Sequence, residues 1–240
     1  MECLKIKEML EKLKNTVLKA NLELVEKGLV LHTWGNVSGR DKKTGLIVIK
    51  PSGVSYDSMK PTDMVVIDHG GNVVEGRYKP STDAPTHIML YQAYESVGGV
   101  VHTHSSYATS WAQAGRAIPP FGTTHADHFY GEVPCTRLLT EKEIENGYEV
   151  NTGKIIVEKL GTANPLTMPS VLVNGHGPFC WGTDPETAVY NAVALEEIAK
   201  MAFYTVLLGK TEPISKFLLE KHFKRKHGSS AYYGQNREPL

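Results

Sequence analysis

The chain has 240 residues, enough for one sizeable core, and its 26 Lys plus Arg balance 26 Asp plus Glu, leaving no formal net charge. That balance excludes a global basic field for nucleic acid, so any phosphate affinity has to come from a local pocket. No apolar run approaches the ~20 residues that cross a bilayer, MECLKIKEMLEKLKN is too charged for a signal peptide, and Cys3, Cys135 and Cys180 are unrelated in spacing, so a cytoplasmic protein with reduced thiols and no membrane partner is expected.

In chain order, Leu10, Leu13, Val17, Asn21 and Leu24 step by three and four and predict an amphipathic first helix that stops at Gly28. LIVIK (46–50), MVVID (64–68) and NVVEG (72–76) read as strands, with DHGG (68–71) as a hairpin turn. Ser81-Thr82-Asp83 favours a helix start, with Pro85 in the first turn. GGVVHTH (98–104) and SVLVN (170–174) are β-branched strands. Thr183-Asp184-Pro185-Glu186 reads as a capping box, Thr183 as cap and Glu186 at the third helical position, ahead of a long helix with one buried stripe from Ala188 to Val206. With no linker tract and no repeat, one α/β domain over 1–240 is the economical reading.

The chemistry concentrates in histidines. His102 and His104 lie two apart within an apparent strand, so their rings project from one face. His176 follows SVLVN between two glycines, which let the backbone turn sharply there. Three neutral imidazoles with an open position suit a catalytic zinc site, and Asp83 can add a carboxylate. A His-x-His pair also occurs as a plain surface pair or as hydrogen-bonded partners in a sheet. Ser81 and Thr82 at a helix start suit an anion or simple capping. Ser52-Gly53 suits a turn, and Lys50 either complements a phosphate or is a solvated strand residue.

HTWGNVSGRD (32–41), IKPSGVSYD (49–57), KPSTDAPTH (79–87), GGVVHTHSSYAT (98–109), GTTHADHFYG (122–131), NGHGPFCWG (174–182) and KHFKRKHGSSAYYGQ (221–235) go further. In that order they resemble segments of the L-ribulose-5-phosphate 4-epimerases, a branch of the class II aldolase/adducin-like family. The match runs over about residues 10–235 and is poorest at KLGTANPLTMP (159–169), which is left without a role. The resemblance implies a single-domain three-layer α/β/α fold with a mostly antiparallel central sheet. It implies a homotetramer with sites at subunit interfaces, the tail 221–240 completing a neighbouring subunit's site. It implies Zn²⁺ on His102, His104 and His176 with Asp83 at the metal, Mn²⁺ or Co²⁺ also being compatible with such ligands. Asn36, Ser52, Gly53, Ser81 and Thr82 fall at phosphate-binding positions, Thr82 replacing a serine but keeping a hydroxyl, and Lys50 is placed with them for its charge. Asp127 and Tyr233 are the implied acid/base groups, Tyr233 reaching in from an adjacent subunit. Thr123, Glu149 and His222 match positions near the site, and His125 and His128 are read as loop supports. Trp34, Trp111 and Trp181 are left as core or interface residues.

Epimerisation at C4 of a 2-ketose phosphate cannot proceed by simple deprotonation, because the C4 hydrogen is not adjacent to the carbonyl. Oxidation at C4 needs a nicotinamide, and no G-x-G-x-x-G joins a strand to a helix, so none is expected. Cleavage and remaking of C3–C4 needs only an electron sink, which zinc supplies. Both arabinose and ascorbate-type breakdown feed such a reaction. Two alternatives stand beside it. One is a fuculose-phosphate-type aldolase, which carries glutamate where Asp83 stands. The other is an adducin-like scaffold, which has no reason to keep three histidines.

Overall fold

The apolar spacing of the N-terminal segment makes a helix, α1 (Glu2–Glu26), in the computed structural model, which describes residues 2–227 and 231–232. Leu10, Val17 and Leu24 are buried along one stripe, and Gly28 ends the element at φ +68, a conformation open to glycine. Asn21 sits in that stripe although it is polar. Its amide donates to the carbonyls of Val17 and Val37 and accepts from Val37 N, which stitches α1 to the first strand and leaves the amide satisfied.

Seven strands follow: β1 (Asn36–Arg40), β2 (Ile47–Ile49), β3 (Val65–Ile67), β4 (Val73–Glu75), β5 (Gly99–His102), β6 (Ser170–Leu172) and β7 (Pro178–Gly182). They form one sheet in the order β4-β3-β2-β1-β5-β7-β6, every neighbouring pair antiparallel. The expected β3–β4 turn is present, the Asp68 carboxylate accepting from Gly70 N and Asn72 N. The helices are α2 (Ala84–Ala93), α3 (Ser106–Gln113), α4 (Thr123–Ala126), α5 (Glu141–Glu145), α6 (Tyr148–Leu160), α7 (Pro185–Leu207) and α8 (Lys216–Lys226). Among the described residues no helix is long and apolar enough to cross a membrane.

Alternation along β1 separates the layers. Ser38 points to α2, its hydroxyl 2.7 Å from His87 Nδ1 and 2.8 Å from the Tyr91 hydroxyl. Gly39 points the other way, where a β-carbon would lie 2.9 Å from Leu13 of α1 and 2.8 Å from Pro185 of α7. Helices therefore cover both faces, giving a three-layer α/β/α domain. Gly39, Gly99 and Gly182 are paired in register across β1, β5 and β7. An added β-carbon at Gly99 would meet the Asp184 backbone at 2.4 Å, and one at Gly182 would meet Thr187 at 2.7 Å. The row is a side-chain-free bed for the start of α7.

The cap of α7 differs from the expected box. Asp184, not Thr183, is the N-cap, its carboxylate accepting from Thr187 N at 2.7 Å. Pro185 is the first helical residue and pushes the one before it out of the helical region. The segment 159–169 also has a use: Pro165 O accepts from the Trp181 indole at 2.8 Å and Thr167 O from Tyr130 N at 3.0 Å.

Candidate active site

Asn36, His102 and Phe179 are paired across β1, β5 and β7, so their side chains share the face covered by α2. His102 closes β5. His104 lies beyond the strand end and reaches the site through the bend into α3 rather than by the strand pleat that the spacing suggested. The outcome is the same: the two Nε2 atoms are 3.1 Å apart. His176 sits in a tight turn between β6 and β7, with Val173 N donating to Gly177 O and His176 N to Val173 O. The three ring centroids are 4.9, 4.7 and 5.0 Å apart, and one ligand atom from each ring lies within 4.8 Å of the others. Nitrogens around a tetrahedral zinc sit about 3.3 Å apart.

The donor chemistry fits a cation. His102 Nδ1 donates to Pro178 O at 3.0 Å, which leaves Nε2 without a hydrogen and turned toward the other rings. Burial is the main reason that the His102 ring is pushed down to about 3, and burial lowers His104 and His176 as well. All three are neutral at neutral pH, the form that ligates metal. Asp83 stands at the N-cap of α2, yet its side chain makes no capping bond. Instead the Asn36 amide donates to it at 2.7 Å and to the Ser81 hydroxyl at 3.0 Å. Burial alone would raise the Asp83 carboxyl. The imidazoles of His102 and His87 and the Asn36 hydrogen bond outweigh it and hold the group below its ordinary value. Asn36 Oδ1 is buried with no partner among the described residues.

These groups open on a cleft of about 490 Å³ lined by Asn36, Lys50, Ser52, Gly53, Ser81, Thr82, Asp83, His102, His104 and His176. Two segments far apart in sequence are brought together there, Ser81 N donating to Lys50 O at 2.9 Å and Ser52 N to Lys79 O at 3.0 Å. Lys50 is only 2% exposed, and its ammonium reaches Pro51 O at 3.3 Å and the face of Tyr56 at 4.8 Å. Among the described residues no carboxylate pairs with it, and burial pulls it down to about 8. An anion entering the cleft would meet this cation and the Ser52 and Ser81 hydroxyls.

Asp127, Thr123 and His222 lie elsewhere in the chain, where α4 meets α8, and do not line the cleft. The Asp127 carboxylate accepts from Arg225 Nε at 3.0 Å, Arg225 Nη2 at 2.6 Å and His222 Nδ1 at 3.1 Å. Burial alone would raise it, but the Arg225 and His222 hydrogen bonds hold it below the usual carboxylate range. His125 Nε2 donates to Gly131 O at 2.7 Å, in keeping with a loop support. Glu149 offers its backbone, its carbonyl accepting from the Thr86 hydroxyl at 2.7 Å. Tyr233 lies outside the described residues.

Trp111 and Trp181 are core residues, whereas Trp34 is 53% exposed at the cleft, beside Thr33 and Gly35. Its place in HTWGNVSGRD, two residues before Asn36, was the available signal. Tyr148 also escaped the sequence reading, because its approach to His176 depends on helix packing that no local pattern carries.

Residues 15–203 match the family model described as Class II Aldolase and Adducin N-terminal domain. The protein named L-ribulose-5-phosphate 4-epimerase UlaF of Salmonella paratyphi B is 57% identical over 227 residues, 94% of this chain and all of that one. Its namesake from Salmonella typhi has the same identity and coverage. Among solved structures, an L-fuculose 1-phosphate aldolase superposes with a TM-score of 0.76 at 26% identity, covering 89% of this chain and 95% of its own. The corresponding aldolase of Glaciozyma antarctica, at 19% identity and a TM-score of 0.75, shares the fold over 92% of this chain and 84% of its own. The chain therefore belongs to the class II aldolase and adducin family, on the side of its L-ribulose-5-phosphate 4-epimerases.

Proposed function

We propose that the protein interconverts L-ribulose 5-phosphate and D-xylulose 5-phosphate at a Zn²⁺ centre held by His102, His104 and His176, with Asp83 beside it. The observation that carries this reading is the 57% identity to epimerases across 94% of the chain, in a protein whose cleft brings three neutral imidazoles together. An aspartate rather than a glutamate at position 83 favours epimerase over aldolase. The intact histidine set disfavours a scaffold.

A Zn²⁺ ion on His102, His104 and His176 would supply the Lewis acidity that cleavage of C3–C4 needs. The remaining work belongs to the chain. Lys50, Ser52, Gly53, Ser81 and Thr82 hold the phosphate, so the aldehyde fragment, glycolaldehyde phosphate, stays in the cleft after cleavage. Asn36 fixes Asp83 and Ser81 with its amide hydrogens. The fragment rotates about its anchored phosphate and presents the other aldehyde face to the same carbon nucleophile.

The C4 hydroxyl loses its proton on one side and regains it on the other, which calls for two groups. Asp127 and Tyr233 take these roles, supplied across a subunit boundary in a homotetramer. Support for the boundary is that α4 and α8 carry Asp127 and His222 away from their own chain's cleft. The Arg225 hydrogen bonds favour the ionised Asp127, which accepts the proton in one direction while the tyrosine donates, and the two exchange roles in the reverse direction. Thr123, Glu149 and His222 position these partners.

Incubation with L-ribulose 5-phosphate tests the reading: D-xylulose 5-phosphate should accumulate, and His102→Ala should remove metal and turnover while leaving the fold. Release of glycolaldehyde phosphate without epimer would make the protein an aldolase, and neither product would make it a scaffold.

A further inference from the structure

We propose that Tyr148 is the positioning residue that fixes the third metal ligand, its hydroxyl holding His176 in the ring orientation and tautomer that present Nε2 to the ion. The inference rests on the metal reading given above. The hydroxyl lies 3.2 Å from His176 Nδ1, with the rings 5.9 Å apart. When Nδ1 carries the hydrogen and donates it to Tyr148, the Nε2 lone pair is left for the metal. Pro178 O does the same for His102. A carbonyl only accepts, so it locks its ring permanently. The Tyr148 oxygen accepts in the same way when Nδ1 carries the hydrogen, and its place on Nδ1 keeps the other nitrogen free for the ion.

The support behind Tyr148 is unusually complete. It is the first residue of α6, where Thr152 donates to its carbonyl at 2.8 Å. Asn151 donates to Glu143 O at 2.8 Å and so fixes the α5–α6 joint. The Thr86 hydroxyl binds Glu149 O and ties this end of α6 to α2. Gly153 permits the contact between the two helices, since a β-carbon there would lie 2.6 Å from that of Met89. The helix that begins beside Asp83 is thus fastened to the helix that begins with Tyr148. One packed pair delivers the carboxylate and the phenol to the same site.

Zinc competition between the holoenzyme and a chromophoric chelator, with no sugar phosphate present, separates this from packing. Tyr148→Phe keeps the ring and loses the hydroxyl. It should retain the native circular dichroism and bind Zn²⁺ about 10–100-fold more weakly, the usual loss for a partner of a metal-ligating histidine. Its Co²⁺-substituted form should show a displaced visible d–d band. Tyr148→Leu should weaken zinc to a similar degree. A Tyr148→Phe protein with native zinc affinity and cobalt spectrum, whatever Tyr148→Leu does, would overturn the proposal and leave the epimerase reading untouched.

Discussion

Lys50 carries the sharpest residue-scale consequence. A buried ammonium without a carboxylate is a standing cost, and burial lowers its titration from 10.5 to about 8. A phosphate favours the charged form, so affinity for phosphoglycolate should fall as pH rises through about 8, and binding at pH 8–9 should take up a proton. Lys50→Met should bind weakly at every pH and lose that dependence, readable by calorimetry in two buffers of different ionisation enthalpy. Pocket affinity that stays flat from pH 7 to 10 in the native protein would contradict the assignment. The histidines were legible in the sequence because glycines flank His176 and a β-branched strand leads to His102. Lys50 was ambiguous there, since a strand lysine is ordinarily solvated, and only the pairing of 50–52 with 79–81 buries it.

Among the elements, β2 to β6 were legible from their apolar runs, while β1 (NVSGR) and β7 (PFCWG), which lack such a run, were not, and neither was what seats α7 on the sheet. Gly39, Gly99 and Gly182 are far apart in the sequence, and no local pattern links them. Their meaning appears only when the β1–β5–β7 register places them side by side beneath Pro185 and Thr187. Gly99→Ala would press a methyl against the Asp184 backbone, where no flexible side chain can yield. It should lower stability by about 1–3 kcal/mol in urea unfolding, as overpacking does, whereas Gly122→Ala, with open space around it, should change little. Equal stabilities for the two variants would show that α7 does not rest on this row. The cap of α7 was misplaced by one residue because the box motif fits Thr183 with Glu186, whereas Pro185 as the first helical residue puts the cap at Asp184.

At the scale of the whole molecule, the residues proposed to bind metal and phosphate line the cleft of one chain, while Asp127 and His222 lie outside it on α4 and α8. If neighbouring subunits share each site, His102→Ala and Asp127→Asn should each be inactive alone but regain turnover when mixed and reassembled. About a quarter of native activity should return, the share of sites in a cyclic tetramer with both halves intact. No recovery in verified mixed tetramers would place Asp127 with the histidines of its own chain.

The account's central claim is that C4 is inverted by breaking and remaking C3–C4, with the C4 hydrogen never leaving its carbon. The most direct measurement is turnover of L-ribulose 5-phosphate in D₂O, with the D-xylulose 5-phosphate examined by NMR at C4. Cleavage and re-addition predict product bearing ordinary hydrogen at C4. Deuterium at that position would contradict the mechanism, and with it the roles given to the three histidines, Asp127 and Tyr233.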